Sequence, residues 1–206
     1  MFAVIDTETT GLKPSTSRVI ELGVVALDRS GEVEWEWSTL LDPKQDVGAT
    51  HLHGVTQEDV IGAPTFAEIS STLTQLLAGR VLVAHNIAFD GPMLREEFVR
   101  NSKPQLEQPW LCTATQAKSL GFRPYRLDAC CEALGLSLVN AHTALGDARA
   151  TAELFPRIYD LSSEQVDFAV TRAQLTSSEP SLMLDFGDPE PRLLSRDTWR
   201  TAPVLS

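Results

Sequence analysis

Phe2-Ala3-Val4-Ile5 runs without a break into Asp6-Thr7-Glu8-Thr9-Thr10-Gly11-Leu12. Four apolar residues, two of them β-branched, predict a short buried strand, and side chains along a strand alternate faces. Asp6 and Glu8 therefore project to the same side at the strand's C-terminal end. Two carboxylates on one face repel each other unless a cation lies between them, and all-oxygen ligands suit Mg²⁺ and Mn²⁺. The small residues Thr9-Thr10-Gly11 let backbone approach another group closely. Taken alone, an Asp-x-Glu at a strand end is more often a solvated turn than a site. Its weight comes from the rest of the chain.

The 206 residues suffice for one α/β domain with a core plus an appendage, and 43% hydrophobic content is ordinary for a globular protein. No apolar run reaches the length needed to span a bilayer, and no secretion signal is visible at the N-terminus. Cys112, Cys130 and Cys131 show no metal-type spacing, and an odd count with two adjacent members argues against a disulfide framework. A reducing cytoplasm is the expected location. The formal charge of −11 disfavours broad neutralisation of nucleic-acid phosphates. It does not exclude binding of a few phosphates through metal ions, which would themselves neutralise part of that charge.

Outward from the opening motif, residues 18–27 read as a strand and Asp28-Arg29-Ser30-Gly31 as a hairpin turn. Val33, Trp35, Trp37, Thr39 and Leu41 alternate with Glu34, Glu36 and Ser38, which predicts a half-buried antiparallel strand with a charged outer face. Residues 44–63 lack a clear period. The histidines His51 and His53 stand there two apart, and with no third nitrogen or sulfur ligand nearby they read as a surface loop rather than a metal pair. Thr65 and Glu68 form a capping box ahead of Phe66, Ile69, Leu73, Leu76 and Leu77 at helical spacing, with Gly79 as the stop.

Residues 81–84 predict another buried strand leading into His85-Asn86-Ile87-Ala88-Phe89-Asp90-Gly91-Pro92. Proline suits a first helical turn, so the helix is expected to begin near Asp90 and to bury Met93, Leu94 and Phe98. Asp90 then stands at a strand–helix junction, where a simple helix cap is the plainer reading. Residues 110–115 read as a further strand. Residues 126–134 read as a helix burying Leu127, Cys130, Cys131 and Leu134, with Gly135 as its stop. His142 and Asp147 precede Ala148, Ala152, Leu154, Phe155 and Ile158. Within one helix that pair would sit roughly 140° apart, so it converges only if His142 lies in the loop before the helix and Asp147 in its first turns. Residues 162–165 could cap a helix burying Val166, Ala169, Val170 and Ala173. From residue 176 the composition turns to Ser, Pro, Asp and Glu with apolar islands at Leu182-Met183-Leu184, Leu193-Leu194 and Trp199, as in a flexible or partner-docking tail.

Four carboxylates and a histidine thus fall at strand ends and helix starts. That set matches two-metal phosphoryl transfer, in which ions about 3.5–4 Å apart clamp the attacking and leaving oxygens and a base takes the water's proton. The fragments Val4-to-Leu12, Val83-to-Asp90 and Ala141-to-Ala148 occur in the order of the DEDDh 3′–5′ exonucleases, which the sequence resembles over about residues 1–160. Within that family it is similar to the proofreading epsilon subunit of bacterial DNA polymerase III. The spacing His142-x4-Asp147 resembles that of the branch that carries histidine rather than tyrosine.

The resemblance implies an RNase H-like α/β fold, a mixed five-stranded sheet with helices on both faces. It implies an exonuclease domain over residues 1–175 and a tail over 176–206. Asp6, Glu8 and Asp147 would ligate one divalent cation, Mg²⁺ or Mn²⁺. Asp90 would hold a second that Asp6 bridges, and His142 would be the general base. Thr7, Thr9, His53 and Phe89 are implied substrate contacts, with Leu12 wedging between the last bases. The implied reaction releases nucleoside 5′-monophosphates from the 3′ end of single-stranded or frayed DNA, in proofreading or repair. The same residues would serve an RNA-trimming exonuclease, and a non-catalytic module docking a polymerase or clamp through the tail is the contrasting expectation.

Overall fold

β1 (Phe2–Thr9) is the middle strand of a five-stranded sheet ordered β3-β2-β1-β4-β5. The structure is a computed structural model and describes residues 1–176, with side chains through residue 174. β2 (Val19–Leu27) and β3 (Val33–Leu40) pair antiparallel on one side of β1. β4 (Val81–Ala84) and β5 (Trp110–Cys112) pair parallel on the other. The turn between β2 and β3 is the one expected: Asp28 Oδ1 accepts the Ser30 and Glu32 N–H groups at 2.8 and 3.0 Å, and Gly31 takes the left-handed backbone at φ +91°.

Seven helices accompany the sheet among the described residues: α1 (Thr50–His53), α2 (Phe66–Leu77), α3 (Ile87–Arg100), α4 (Thr113–Ser119), α5 (Leu127–Leu134), α6 (Ala144–Ile158) and α7 (Glu164–Thr176). The alternation of β1 divides them between its two faces. Ala3 and Ile5 face the core built with Leu73 and Leu77 of α2 and Met93, Leu94 and Phe98 of α3. Phe2 and Val4 face Ala148, Ala152 and Phe155 of α6 and Val166, Val170 and Ala173 of α7. Edge-on ring pairs, Phe66–Phe98 and Phe2–Phe155, lie at 5.1 and 4.9 Å on the two sides.

The capping box closes α2 as its sequence predicts: the N–H and hydroxyl of Thr65 both donate to Glu68 Oε2, at 2.6 and 2.7 Å. Cys130 and Cys131 are buried in α5, and the inward residues of α7 are those that the spacing selects.

Three boundaries differ from expectation. β3 does not alternate as expected: Val33 is exposed along with Glu34 and Glu36, and Trp37, Ser38, Thr39 and Leu40 are all buried. The aperiodic segment supplies the missing cover, packing Val47, Val55, Val60 and Ala63 against Leu40 and Ile20. α3 starts at Ile87, directly after a left-handed Asn86 at φ +88°, so Pro92 lies inside it. The carbonyl that loses its partner belongs to Ala88, which is exposed to water. β5 ends at Cys112 rather than running to residue 115, because its partner β4 ends at Ala84, which pairs with Cys112. Thr113 begins α4 instead.

The tail's apolar islands lie outside the described residues. Among those described, no helix is long and apolar enough to cross a membrane.

Candidate active site

The site forms where β1 outruns its neighbour. β4 pairs with β1 only from Phe2 to Val4, whereas β2 stays paired along β1 as far as Thr9. In that register Asp6 stands opposite Gly23, and Glu8 opposite Glu21. Directly opposed residues share a face, so all four look toward α6. A Cβ on Gly23 would collide with the Ala144 carbonyl, and its absence lets the first turn of α6 rest against β2 beside Asp6. Thr143 caps that turn: its hydroxyl accepts the Gly146 N–H at 3.0 Å and donates to the Asn140 carbonyl at 2.8 Å. Asp147, in the same turn, is thereby delivered over the strand. Carboxylate oxygens of Asp6, Glu8 and Asp147 lie within 4.8 Å of one another.

Asp90 arrives from the other face. Thr7 points opposite to Asp6 and Glu8, and its backbone N–H and hydroxyl both donate to Asp90 Oδ1, at 3.1 and 2.8 Å. Asp90 is only 2% exposed. It is not one of the three carboxylates that share oxygens within 4.8 Å, yet its charge reaches Asp6.

Crowding shows in the acidities. Burial pushes the Asp6 carboxyl well up, and the charges of Asp90, Asp147, Glu8 and Glu21 push it further. Asp90 is pushed up to about 7 by burial, against the opposing hydrogen bonds from Thr7. Asp147 is raised by burial, while His142 beside it pulls the other way. The upward direction at Asp6, Asp90 and Asp147 is that of carboxyls whose charge nothing in the pocket fully offsets, and a bound cation would offset it. Converging oxygens with no nitrogen or sulfur among them fit a hard divalent cation, so the donor set passes the chemical test for Mg²⁺ or Mn²⁺.

His142 lies in the loop before α6, with φ +63°, and is exposed. This is the placement under which the two residues can converge. Thr9 is buried, its hydroxyl donating to the Gly11 carbonyl at 2.8 Å, and Leu12 just beyond is 80% exposed. Phe89 is half-buried and packs against the α2–α3 core. The surface-loop reading holds for exposed His51 but not for His53, which is buried at the end of the helical turn α1, its Nδ1 accepting the Val55 N–H at 3.1 Å. Gln45 ties that segment to the loop after β1 by donating to the Thr10 hydroxyl at 2.9 Å. Thr7 differs most from its expected place, because its hydroxyl is committed to Asp90.

Two acids escaped sequence reasoning. Glu21 is 2% exposed, and its Oε2 accepts the Ala144 N–H at 3.2 Å. Glu97, 1% exposed, takes two hydrogen bonds from Arg18, at 2.7 and 3.0 Å, and one from the Val19 N–H at 3.1 Å. Their signal was an acid standing among core residues of an apolar strand and of a helix.

A family model described as an exonuclease, of the RNase T type, matches residues 3–155. DNA polymerase III subunit epsilon of Treponema pallidum is 35% identical over 179 residues, covering 84% of this chain and 83% of that protein. The PolC-type DNA polymerase III of Thermotoga petrophila is 35% identical over 163 residues, covering 78% of this chain; the chain spans only 12% of that relative's length. Among solved structures, exonuclease X in complex with 5′-overhanging duplex DNA is 25% identical with a TM-score of 0.65, covering 84% of this chain and 99% of that one. Sequence, sheet order and clustered acids agree: the chain belongs to the exonuclease family.

Proposed function

We propose that this protein hydrolyses the 3′-terminal phosphodiester of single-stranded or frayed DNA, releasing nucleoside 5′-monophosphates. The observation that carries this reading is the convergence of Asp6, Glu8 and Asp147, with exposed His142 beside Asp147. Asp6, Glu8 and Asp147 would hold one divalent cation and Asp90 would help hold a second, each Mg²⁺ or Mn²⁺. When bound, such ions polarise the phosphate and make water a better nucleophile. The chain's own part is to place and deprotonate. His142 takes the proton as the water oxygen forms its bond to phosphorus and the bond to the 3′ oxygen breaks. Phe89, Thr9 and His53 would border the terminal nucleotide, and exposed Leu12 would insert between the last two bases. Contacts to one strand end need no base-specific readout, which suits an acidic protein.

The likeness to an epsilon subunit supports a proofreading or repair role, with a polymerase or clamp reached through residues 176–206. Matched 5′-labelled DNA and RNA strands, with Mg²⁺, Mn²⁺ or chelator, test the reading. Stepwise shortening of DNA from the 3′ end, abolished by chelator, is the expected result. Faster loss of RNA would reassign the substrate. Intact strands with either metal would leave a binding module.

A further inference from the structure

We propose that Glu21 is a positioning residue for this reaction: by accepting the Ala144 N–H, it seats the first turn of α6 on β2 and so sets where Asp147 and His142 stand against Asp6 and Glu8. The inference rests on the exonuclease reading above. The first N–H groups of a helix have no partner within it. In α6, Gly146 finds the Thr143 hydroxyl, and Ala144 finds Glu21, a residue 123 positions away. This bond joins the element carrying Asp147 to the strand paired with the Asp6-Glu8 motif.

The register makes the joint specific. Glu21 is paired with Glu8 and Gly23 with Asp6, so the Glu21-x-Gly23 pattern mirrors Asp6-x-Glu8 across the ladder. Gly23 leaves the space that the Ala144 backbone fills, and Glu21 supplies the acceptor at its rim. A further acid, itself only 2% exposed, so near the cluster is electrostatically unfavourable, because like charges at close range oppose each other's ionisation. A neutral or apolar residue would suit the strand better if no directed bond were needed. Outer contacts of this kind typically change metal affinity or activity by about 10–100-fold when deleted.

Glu21→Gln, Glu21→Ala and Gly23→Ala separate the possibilities, with Mn²⁺ binding followed by electron paramagnetic resonance alongside steady-state cleavage. Glutamine keeps an acceptor oxygen and removes the charge, so Glu21→Gln should stay within about threefold of the parent in both, well short of the usual loss. Glu21→Ala should lose about 10–100-fold in Mn²⁺ affinity and in kcat, with KM for the strand nearly unchanged. Gly23→Ala leaves Glu21 in place but displaces the helix start, and should show the same losses. Equal damage from glutamine and alanine would show that charge matters rather than the bond, and would overturn the proposal. Parental Mn²⁺ affinity in Gly23→Ala or in Glu21→Ala would overturn it too. The Mn²⁺ titration reads out even if the parent protein cleaves nothing, which keeps this test distinct from that of the proposed reaction.

Discussion

Thr7 gives Asp90 two donors: backbone N–H and hydroxyl meet the same carboxylate oxygen, at 3.1 and 2.8 Å. The strand's alternation sends Asp6 and Glu8 toward α6 while the intervening Thr7 turns to α3. One three-residue segment therefore supplies two carboxylates to the cluster and orients the acid that comes from the opposite layer. Thr7→Val keeps the shape and the N–H but deletes the hydroxyl. We expect cleavage to fall by about tenfold, the lower end for loss of a ligand-orienting bond, with little change in KM. Unaltered kcat in this variant would show that the backbone N–H alone suffices.

Removing one acid from the cluster should make the metal-free protein more stable and the metal useless to it. Asp6→Asn relieves like-charge repulsion at pH 8. In chelator its Tm should rise by about 2–4 °C, corresponding to about 1 kcal/mol for a chain of this size. The parent protein should gain further stability from added Mn²⁺, about 2.7 kcal/mol at a hundred times Kd, and the variant should not. Cleavage should be abolished. Thermal scans with and without Mn²⁺ check all but the last, which a labelled strand reads.

The raised acidities fix a direction for pH. Asp90 goes from its ordinary 3.8 to about 7 on folding, and Asp6 moves the same way. The folded state then binds more protons than the unfolded state between those values. Metal-free stability is therefore greatest at the acid end of the window and falls as pH rises through about 7. Divalent cations compete with those protons, so their apparent affinity should climb over the same interval. Urea titrations in chelator at several pH values measure the first effect, and Mn²⁺ binding measures the second. A stability that rises across this interval without metal would contradict the burial of Asp90.

His142→Ala should lower kcat by about 10²–10⁴-fold, the range for a lost general base, while leaving Mn²⁺ binding and Tm near the parent's. His142 is exposed and outside α6, so nothing in the packing depends on its ring. Turnover at the parental rate would take it out of the mechanism.

Glu97→Ala should be costly to the fold. It strips the partner from Arg18, which bridges α3 to the start of β2 and also donates to the Pro43 carbonyl at 3.0 Å. Breaking one side of such a buried pair typically costs about 3–5 kcal/mol. Because Arg18 keeps some contact with water and its bond to Pro43, the lower end is expected. Urea denaturation followed by intrinsic tryptophan fluorescence measures it.

Local rules were enough to place β1, β2, the capped α2 and the cysteine-bearing α5. Each depends on periodicity or capping within a few residues, which backbone geometry imposes wherever the chain goes. They failed at β3, α3 and β5, where an end was decided by a neighbour: the cover from residues 47–63, the left-handed turn at Asn86, and the stop of β4 at Ala84.

The amino-acid sequence by itself nominated the candidates: Asp6, Glu8, Asp90, His142 and Asp147 stand out by residue type, spacing and the family resemblance of the three fragments that carry them. Only the tertiary structure decided how they divide. It grouped Asp6 and Glu8 with Asp147, gave Asp90 to Thr7 across 83 positions, and brought Glu21 to the start of α6. The reason is physical. Facing along one strand follows from a period of two, but distances between remote carboxylates depend on pairing register, on where a strand outlasts its neighbour, and on the gap left by a glycine.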